Sequence, residues 1–243
     1  MEFFQPQIPT PRLKKAETRL RHILSVELGR LRLRGKYSGS LEVAGDFPLL
    51  LDFAKEFHVR YSNWQYEALK QHREPIQCQA GCSNCCQHYP MSVEPIELLW
   101  LYQHLRGRED FGRIIEECFR RVQAYQGLRS NHPPLTDEED DAILQSFFAL
   151  GLRCPLLGEG GLCSAHEWRP VTCRMYFSFT HPDFCTPKHL LTANNRSFHI
   201  CLPDAIEEDI AEVAEFWAEL ELPESLYEGL LTLNTWEGEG CFP

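Results

Sequence analysis

The sequence lacks the segments that would place the chain in a membrane or mark it for secretion. No apolar run approaches the roughly 20 residues that a membrane-spanning helix needs. The first residues, Met1 to Pro6, lack the basic start and the apolar stretch of a signal peptide. The formal net charge of −11 argues against a general affinity for DNA or anionic lipid. We therefore expect a soluble, cytoplasmic protein that binds neither DNA nor a membrane.

Several catalytic motifs are also missing. The sequence has no HExxH, Gly-x-Ser-x-Gly or Gly-x-Gly-x-x-Gly pattern, which are typical of zinc proteases, serine hydrolases and dinucleotide-binding domains. The glycine-rich run at residues 158–161 lacks the Lys and the Ser or Thr of a phosphate-binding loop. These absences leave the cysteines as the residues with the clearest chemistry.

Cysteine is absent from residues 1–77 and abundant after them. The chain has 11 cysteines, an odd number that cannot pair completely within one molecule. Four of them fall between residues 78 and 86, and the adjacent Cys85 and Cys86 cannot easily form a disulfide with each other. A cytoplasmic protein also keeps few stable disulfides. Metal ligation is therefore the preferred interpretation.

Two blocks of cysteines supply the candidate ligands. The first block, residues 78–86, has small or polar residues between its sulfurs, which suits a loop around a metal. Its neighbours Cys85 and Cys86 are expected to point in different directions and to serve two metals, or one metal and its surroundings. The second block, residues 154–173, contains a glycine-rich turn that can return Cys163 toward Cys154. With one later cysteine, the predicted metal ligands are Cys78, Cys82, Cys85, Cys86, Cys154, Cys163, Cys173 and Cys201. Because neither block alone offers a full set, we predict that they converge on one buried centre.

These motifs resemble a known family. Cys-x3-Cys-x2-Cys-Cys at residues 78–86, Cys-Pro at 154–155 and Arg-Pro-x2-Cys-Arg at 169–174 are similar to the bacterial CxxxCxxCC cysteine-cluster family, described as a putative zinc- or iron-chelating domain. The resemblance covers roughly residues 75–202. The family usually has an aliphatic residue and Tyr before its Arg-Pro, where this chain has residues 165–168. The resemblance implies eight metal-binding cysteines. A distant similarity to flagellin lysine N-methylase implies an enzyme that uses S-adenosylmethionine and an iron–sulfur cluster.

The spacing favours an iron–sulfur cluster, such as a 4Fe-4S centre, over zinc. Structural zinc sites commonly use paired Cys-x2-Cys knuckles, and this chain has one such pair, Cys82 and Cys85. Iron–sulfur clusters accept a grouped run with a remote cysteine. Three functions remain open: a metal-binding protein with a redox or metal-handling role, an S-adenosylmethionine-dependent protein lysine methylase, and a zinc-stapled module for a protein partner. Cys78, Cys82 and Cys85 also have the spacing found in radical enzymes that cleave S-adenosylmethionine with a cluster. In those enzymes the motif follows the first strand of a βα barrel. That fold is disfavoured here, because a helix precedes the first block.

A few other residues flank the cysteines. Arg174, His166 and His88 are the candidate cofactor-binding residues, since each offers a donor or a titratable ring. Tyr89 and Tyr176 are further candidates for the wall of a pocket beside the metal. The plainer interpretations are ordinary surface or core histidines, and an Arg174 that only offsets the charge of the thiolates.

Three cysteines lie outside the predicted ligand set. Cys118 falls on the apolar stripe of a helix and is expected to be a small buried side chain. Cys185 and Cys241 receive no role.

Apolar periodicity predicts a mainly helical domain with few strands. Helices are expected after Pro11, from Asp46 to His72, after Ser92 and around Phe111, and also at Thr136 and Asp204. Residues 31–34 are read either as the end of the first helix or as a short hairpin. We divide the chain into a basic N-terminal segment, residues 1–45, and a helical cysteine-cluster domain, residues 46–243, with the motif core at residues 75–202.

The two ends of the chain carry opposite charge. Residues 1–36 contain nine Lys and Arg against three Glu, and residues 202–243 contain twelve Asp and Glu with no Lys or Arg. Two interpretations remain open: the ends attract each other, or each is a separately solvated face. A third and weaker interpretation is that the basic segment contacts an acidic partner or RNA.

Overall fold

The computed structural model describes residues 2–4, 6, 10–131, 136–190 and 192–240. In these ranges the α-helices are α1 (Pro11–Arg34), α2 (Ser40–Leu69), α3 (Pro95–Leu105), α4 (Phe111–Asn131), α5 (Asp137–Ala149), α6 (Asp204–Glu215) and α7 (Leu226–Gly238). The strands are β1 (Glu2–Phe4), β2 (Tyr176–Ser178) and β3 (Ser197–Ile200). The prediction of a mainly helical single domain is confirmed. None of the helices described combines the length and the apolar character that a membrane crossing requires.

The three strands form one small sheet in the order β1-β3-β2. β1 runs parallel to β3, with Phe4 opposite Ile200. β2 runs antiparallel to β3, with Phe177 opposite Phe198. Because β2 begins three residues after Cys173, the sheet anchors the end of the second cysteine block.

Helix α1 follows the predicted leucine stripe. Leu13, Leu20 and Leu31 are fully buried in the core against α2 and α6. Thr10 begins the helix by accepting a hydrogen bond from the backbone N–H of Leu13 at 3.2 Å. The helix continues to Arg34 and stops at Gly35, whose φ of 92° suits glycine. The hairpin interpretation of residues 31–34 was therefore wrong, because Leu31 extends the same buried stripe.

Helix α2 begins earlier than predicted, at Ser40, and contains Pro48 in its interior. The buried Val43, Phe47 and Leu50 lie on one face of the helix at steps of four and three residues. Burial of these apolar side chains stabilises the additional helical turns before Asp46. Asp46 does not cap the helix. Its carboxylate accepts hydrogen bonds from Arg34 at 2.5 Å and from the Tyr37 hydroxyl at 2.9 Å. The helix also ends at Leu69, before His72.

Two other helix boundaries differ from the prediction. Ser92 has a φ of 55° and does not cap α3, because the backbone N–H of the next residue, Val93, donates to the Glu224 carbonyl at 2.8 Å. The helix instead begins at Pro95 after Glu94. Asp204 is the first residue of α6 and not its cap. The capping box of Thr136 and Glu139 at the start of α5 is confirmed.

Helix α7 was not predicted at all. Its cap is Ser225, which accepts a hydrogen bond from the backbone N–H of Glu228 at 3.2 Å. Gly229 faces Leu98 of α3 so closely that an added Cβ would overlap the leucine side chain. The glycine lowers the helix propensity of the segment but permits this close packing. The helix matters for function, because it carries Tyr227 to the cysteines.

The oppositely charged ends of the chain meet between α1 and α6. Arg21 pairs with Asp209 at 2.8 Å, Arg32 pairs with Glu212, and Lys36 lies 3.6 Å from Glu219 just beyond α6. This supports the interpretation that the ends attract each other. The side chains are partly to largely exposed, so each pair contributes little to stability. The boundary at residue 45 stays a prediction, although α1 shares its core with α2 and α6.

Candidate metal centre

Eight of the cysteines line two neighbouring cavities. The larger cavity has a volume of about 300 Å³ and the smaller about 40 Å³. The larger is lined by Cys85, Cys86, Cys154, Cys163 and Cys173. The smaller is lined by Cys78, Cys82, Cys85 and Cys185. Because Cys85, His88 and Tyr176 line both, the two cavities share a wall.

The two cysteine blocks meet at the larger cavity, but Cys78 and Cys82 of the first block line only the smaller one, so convergence on one buried centre stays a prediction. Cys86 and Cys154 are 68 positions apart in the sequence, yet both line the larger cavity. All ten described cysteines are free thiols. The eleventh, Cys241, lies outside the described residues. The chain therefore brings unpaired sulfurs from distant segments to one place.

Glycines allow the two blocks to touch. Gly81 in the first block has a φ of 86°, and Gly161 in the second has a φ of 75°. A Cβ on Gly161 would lie 2.6 Å from the carbonyl oxygen of Gly81, and a Cβ on Gly81 would lie 3.0 Å from that of Gly160. Glycine is therefore required at Gly161 for both its backbone angle and the space.

The turn between Cys154 and Cys163 closes as predicted. The backbone N–H of Gly158 donates to the Leu162 carbonyl at 2.9 Å, and that of Ser164 donates to the Leu156 carbonyl at 2.7 Å. Leu157 and Cys163 form a β-bridge. These bonds return Cys163 to Cys154, so both sulfurs reach the larger cavity.

Adjacent Cys85 and Cys86 begin a short 3-10 turn, Cys85–Gln87, in which their sulfurs remain close enough for a hydrogen bond. Cys85 lines both cavities, whereas Cys86 lines only the larger. The turn therefore lies at the junction between the cavities.

Arg121 of α4 joins the two blocks from behind. Its side chain is 2% exposed and donates to the carbonyl oxygens of Gln87 at 3.3 Å and His88 at 3.0 Å, and also to that of Leu152. The first two follow the first block, and Leu152 precedes Cys154. The guanidinium also lies 4.6 Å from the centre of the Tyr227 ring. Sequence reasoning missed Arg121, since an arginine on an amphipathic helix ordinarily indicates a solvated face.

The thiols of Cys154 and Cys173 favour the neutral form in the absence of a metal. Burial raises the pKa of Cys154 and that of Cys173. The hydrogen bond between Cys85 and Cys86 lowers the pKa of Cys85 and raises that of Cys86. Because metals bind thiolates, metal binding at these cysteines would release protons.

Of the two arginines beside Cys173, Arg169 lines the larger cavity and Arg174 does not, although the charge of Arg174 also interacts with Cys173. The charge of Arg169 lowers the pKa of Cys85 and opposes the rise at Cys173. Arg174 is buried but lines neither cavity. It donates to the Arg169 carbonyl at 2.7 Å, the Glu167 carbonyl at 2.8 Å and the Ser62 hydroxyl at 2.9 Å, and so it fixes the loop against α2. A role for Arg174 in binding a cofactor stays a prediction.

The predicted aromatic wall is partly assembled. His88 lines both cavities and stacks on Phe148 with ring centres 3.9 Å apart, and burial lowers its pKa to about 4. Tyr89 and Tyr176 line the larger cavity. His166 is exposed and lines neither cavity, so the structure does not bring it to the sulfurs.

Two further residues belong to the wall, and the sequence analysis missed one of them, Tyr227. His199 of β3 contacts the Tyr176 ring with centres 3.9 Å apart, and Tyr227 of α7 is fully buried beside Cys154. No sequence pattern pointed to Tyr227, because its helix was itself not predicted.

Three cysteines outside the two blocks differ in position. Cys201 follows β3, and its backbone N–H donates to the Phe4 carbonyl at 2.9 Å. Its side chain lines neither cavity, so its role as a ligand stays a prediction. Cys118 is fully buried on α4, as predicted. Cys185, which had no predicted role, lines the smaller cavity.

The donor chemistry of the larger cavity fits a thiophilic metal. Among the described residues that line it there are five cysteines and no Asp or Glu. Soft thiolates select zinc and iron–sulfur clusters over calcium or magnesium. Over the described ranges, no three Cys, His, Asp or Glu side chains form a group that could hold a single metal ion. The sulfurs instead line an open space.

Comparison with known proteins agrees with this chemistry. Residues 77–190 match the model of the CxxCxxCC family, described as a putative zinc- or iron-chelating domain. The matched range includes both blocks and Cys185, and ends before Cys201. No curated protein and no solved structure matches the chain. The similarity to flagellin lysine N-methylase therefore stays a prediction, whereas metal binding in general is supported. Over residues 77–190, the chain is therefore similar to the CxxCxxCC family, whose description is a putative zinc- or iron-chelating domain.

Proposed function

We propose that the larger cavity holds an iron–sulfur cluster through Cys86, Cys154, Cys163 and Cys173, and that the protein has a redox role. One observation carries the proposal: cysteines from two distant blocks line a cavity of about 300 Å³, while no three described ligand side chains could hold one ion. Four thiolates on a zinc ion would each lie about 2.3 Å from it and close the space between them. A cluster has an inorganic core that holds its cysteine sulfurs farther apart.

The surrounding residues suit such a centre. When bound, an iron–sulfur cluster supplies one-electron chemistry, at a potential set by net charge, hydrogen bonds and solvent exposure. Arg169 places a positive charge beside the sulfurs and offsets part of their negative charge. Leu144, Leu156 and Leu226 add apolar surface to the wall of the cavity. Arg121 holds the ends of the two blocks at a fixed separation.

A methylase that uses S-adenosylmethionine is the second candidate. The observation that favours it is the wall of the larger cavity that is not made of cysteine, in particular Arg169, Thr172 and Tyr176. These side chains offer donors for a polar ligand beside the sulfurs, as a catalytic metal site requires. Calorimetry with the metal-loaded protein tests this candidate. Failure to detect S-adenosylmethionine binding leaves the redox role.

The proposal is tested by purifying the protein without oxygen and measuring iron, zinc and sulfide together with the optical spectrum. Iron with sulfide and a broad absorption shoulder near ~400 nm would support the cluster. A colourless protein that contains zinc would refute the cluster and support a zinc-stapled module that binds a protein partner. A protein without metal would refute metal binding at this cavity.

Cys173→Ser and Cys118→Ala form a matched pair for the same measurement. Cys173 lines the larger cavity, and its replacement should abolish the metal there. Cys118 is buried on α4 outside both cavities, and its replacement should leave the metal content unchanged at a cost of about 1 kcal/mol. Equal loss of metal in both variants would contradict the ligand assignment.

A further inference from the structure

We infer that the solvent-facing side of the α1 and α2 pair is a docking surface for an acidic, amphipathic helix of a partner protein. The surface has a basic end, between the start of α1 and the end of α2, and an apolar end, where α1 finishes and α2 begins. The inference goes beyond the proposed function and does not depend on it, because none of the residues that it uses lines the two cysteine-lined cavities.

The basic end is a groove of about 310 Å³. Four cations of α1 and α2 line this basic groove: Arg12, Lys15, Arg19 and Arg60. Glu67 is the single carboxylate among the described residues that line it. The groove is therefore positive, although the chain as a whole has a formal net charge of −11. A local positive field of this kind attracts an anionic partner.

The cations on α1 have no partner of their own. Within the ranges that the structure describes, the side chains of Arg12, Lys15 and Arg19 form no ion pair. Other basic residues of the same helix differ, since Arg21 pairs with Asp209 of α6 at 2.8 Å. The structure thus separates the basic residues of α1 into a set that holds α6 and a set that remains available.

The carboxylates beside the basic groove are already paired. Glu67 lies 3.0 Å from Lys70, and Glu56 lies 2.9 Å from Arg60. The Nε atom of Arg60 is buried and has no hydrogen-bond partner among the described residues. The groove therefore keeps donors and positive charge that the described part of the chain does not satisfy.

Exposed apolar side chains continue the same face of α1. Arg12, Arg19, Val26 and Leu33 follow one another at steps of seven residues, which places them on one face of the helix. Val26 is 61% exposed and Leu33 is 93% exposed. At the same end of the pair, Leu49 of α2 is 53% exposed. Large apolar side chains left in solvent beside a polar surface are typical of a protein-binding face.

Hydrogen bonds hold the two helices together at both ends of this face. At the basic end, the Gln71 side chain donates to the Thr10 hydroxyl at 3.3 Å. At the apolar end, Arg34 donates to the Asp46 carboxylate at 2.5 Å. The surface is therefore formed before a partner arrives, which lowers the cost of binding.

The order of charge and apolar surface favours an acidic helix over a nucleic acid or a membrane. Arg12 and Arg19 lie about 10 Å apart along the helix axis. A nucleic acid carries negative charge along its whole length, so beyond the groove it would meet apolar side chains and an acidic protein. An anionic membrane would meet the same net charge. A helix of about 20 residues, acidic at one end and apolar at the other, matches both ends of the face.

The test measures the affinity of the full chain for two fluorescein-labelled peptides of about 20 residues. One peptide is an amphipathic helix that carries Glu in one half of its binding face and Leu in the other. The second peptide has the same composition in scrambled order, so that it keeps the charge and loses the face. Fluorescence anisotropy at low salt should show the amphipathic peptide binding at least about tenfold more tightly. Salt at about 0.5 M should weaken the binding of both.

Arg19→Glu and Lys55→Glu form a matched pair of variants. Each reverses one exposed cation and changes the net charge equally, but Lys55 of α2 lies outside the basic groove. Arg19→Glu should weaken binding of the amphipathic peptide by about tenfold or more, because a repulsion replaces an attraction. Lys55→Glu should change it by less than about twofold. Leu33→Ser should weaken binding of the amphipathic peptide and leave that of the scrambled peptide unchanged.

These side chains are exposed, so the variants should fold, and circular dichroism checks that they do. Arg12→Glu repeats the test at the other end of the groove. Equal affinities of wild type for the two peptides, or equal weakening in Arg19→Glu and Lys55→Glu, would overturn the docking surface.

Two further probes test the other classes of partner. They are an oligouridylate of about 12 nucleotides and vesicles of phosphatidylserine with phosphatidylcholine. The inference expects both to bind more weakly than the amphipathic peptide. Tighter binding of either probe, lost in Arg19→Glu, would assign the groove to RNA or to a membrane instead. A protein that binds none of the probes would also refute the inference.

Discussion

Replacing Gly161 by Ala tests whether contact between the two cysteine blocks builds the metal centre. The added Cβ would lie 2.6 Å from the Gly81 carbonyl oxygen, and the residue would keep a φ of 75°. A left-handed backbone costs an L-residue about 1–2 kcal/mol. Displacing a backbone neighbour adds about 1–3 kcal/mol. We expect the free energy of unfolding to fall by about 3 kcal/mol in total. The metal content should also fall, because the added Cβ pushes the two cysteine blocks apart.

Two glycines in the same turn are matched controls. Gly160 also has a positive φ, of 73°, but an added Cβ would meet no atom within 4 Å. Gly160→Ala should therefore lose only about 1–2 kcal/mol and keep its metal. Gly158 has a φ of −82°, and a Cβ there would make an ordinary contact with the Leu162 carbonyl oxygen at 3.6 Å. Gly158→Ala should change stability by less than about 0.5 kcal/mol.

The assay is thermal unfolding together with metal analysis of all three variants. For a chain of this size, 1 kcal/mol corresponds to about 2–4 °C in Tm. Gly161→Ala should lower Tm by about 10 °C, Gly160→Ala by about 5 °C, and Gly158→Ala by less than about 2 °C. The reasoning is refuted if Gly161→Ala retains both the Tm and the metal content of Gly158→Ala.

Three further predictions concern residues away from the sulfurs. Burial raises the pKa of the Glu97 carboxyl group to about 7. Between pH 4.5 and 7 the native state therefore keeps a proton that the unfolded chain has lost. The free energy of unfolding of the wild type falls as the pH rises through this range. In urea unfolding, the free energy of unfolding of Glu97→Gln should equal that of wild type near pH 5 and exceed it at pH 8 by at most about 3 kcal/mol. A difference in free energy that does not change with pH would contradict this reasoning. Arg121→Met should bind less metal, and its free energy of unfolding should fall by about 3 kcal/mol or more, because three backbone carbonyl oxygens lose their hydrogen-bond donor. The exposed Arg120→Met is its control, and equal effects in the two variants would refute the bridging role. Asp209→Asn should lower the free energy of unfolding by less than about 1 kcal/mol, and the difference from wild type should disappear in 1 M salt. A larger decrease that does not depend on salt would contradict a surface ion pair.

The elements that sequence analysis predicted well are those with a local pattern. The leucine stripe of α1 and the capping box at Thr136 depend on residues three or four positions apart, so the sequence shows them directly. Helix α7 has no such advantage, because Gly229 lowers its propensity and its packing against Leu98 compensates. A residue that depends on a distant partner for its role is not visible in a local pattern.

The candidate site shows the same limit. The two cysteine blocks were recognisable from their spacing, and their approach to each other was expected from the number of ligands a centre needs. The position of Cys185 beside the first block was not, since the hydrogen bond from Asn84 to the Pro182 carbonyl spans 98 positions. Arg121 is equally hidden, because in the sequence it resembles the exposed Arg120 beside it.

The central claim is that cysteines of both blocks bind metal together, and X-ray absorption at the metal edge of the anaerobically purified wild type tests it most directly. The account predicts sulfur neighbours alone, at about 2.3 Å from the metal. It also predicts a metal–metal distance from the cluster in the larger cavity, lost in Cys173→Ser and kept in Cys118→Ala. A protein without metal, or a metal with only nitrogen and oxygen neighbours, would contradict the claim.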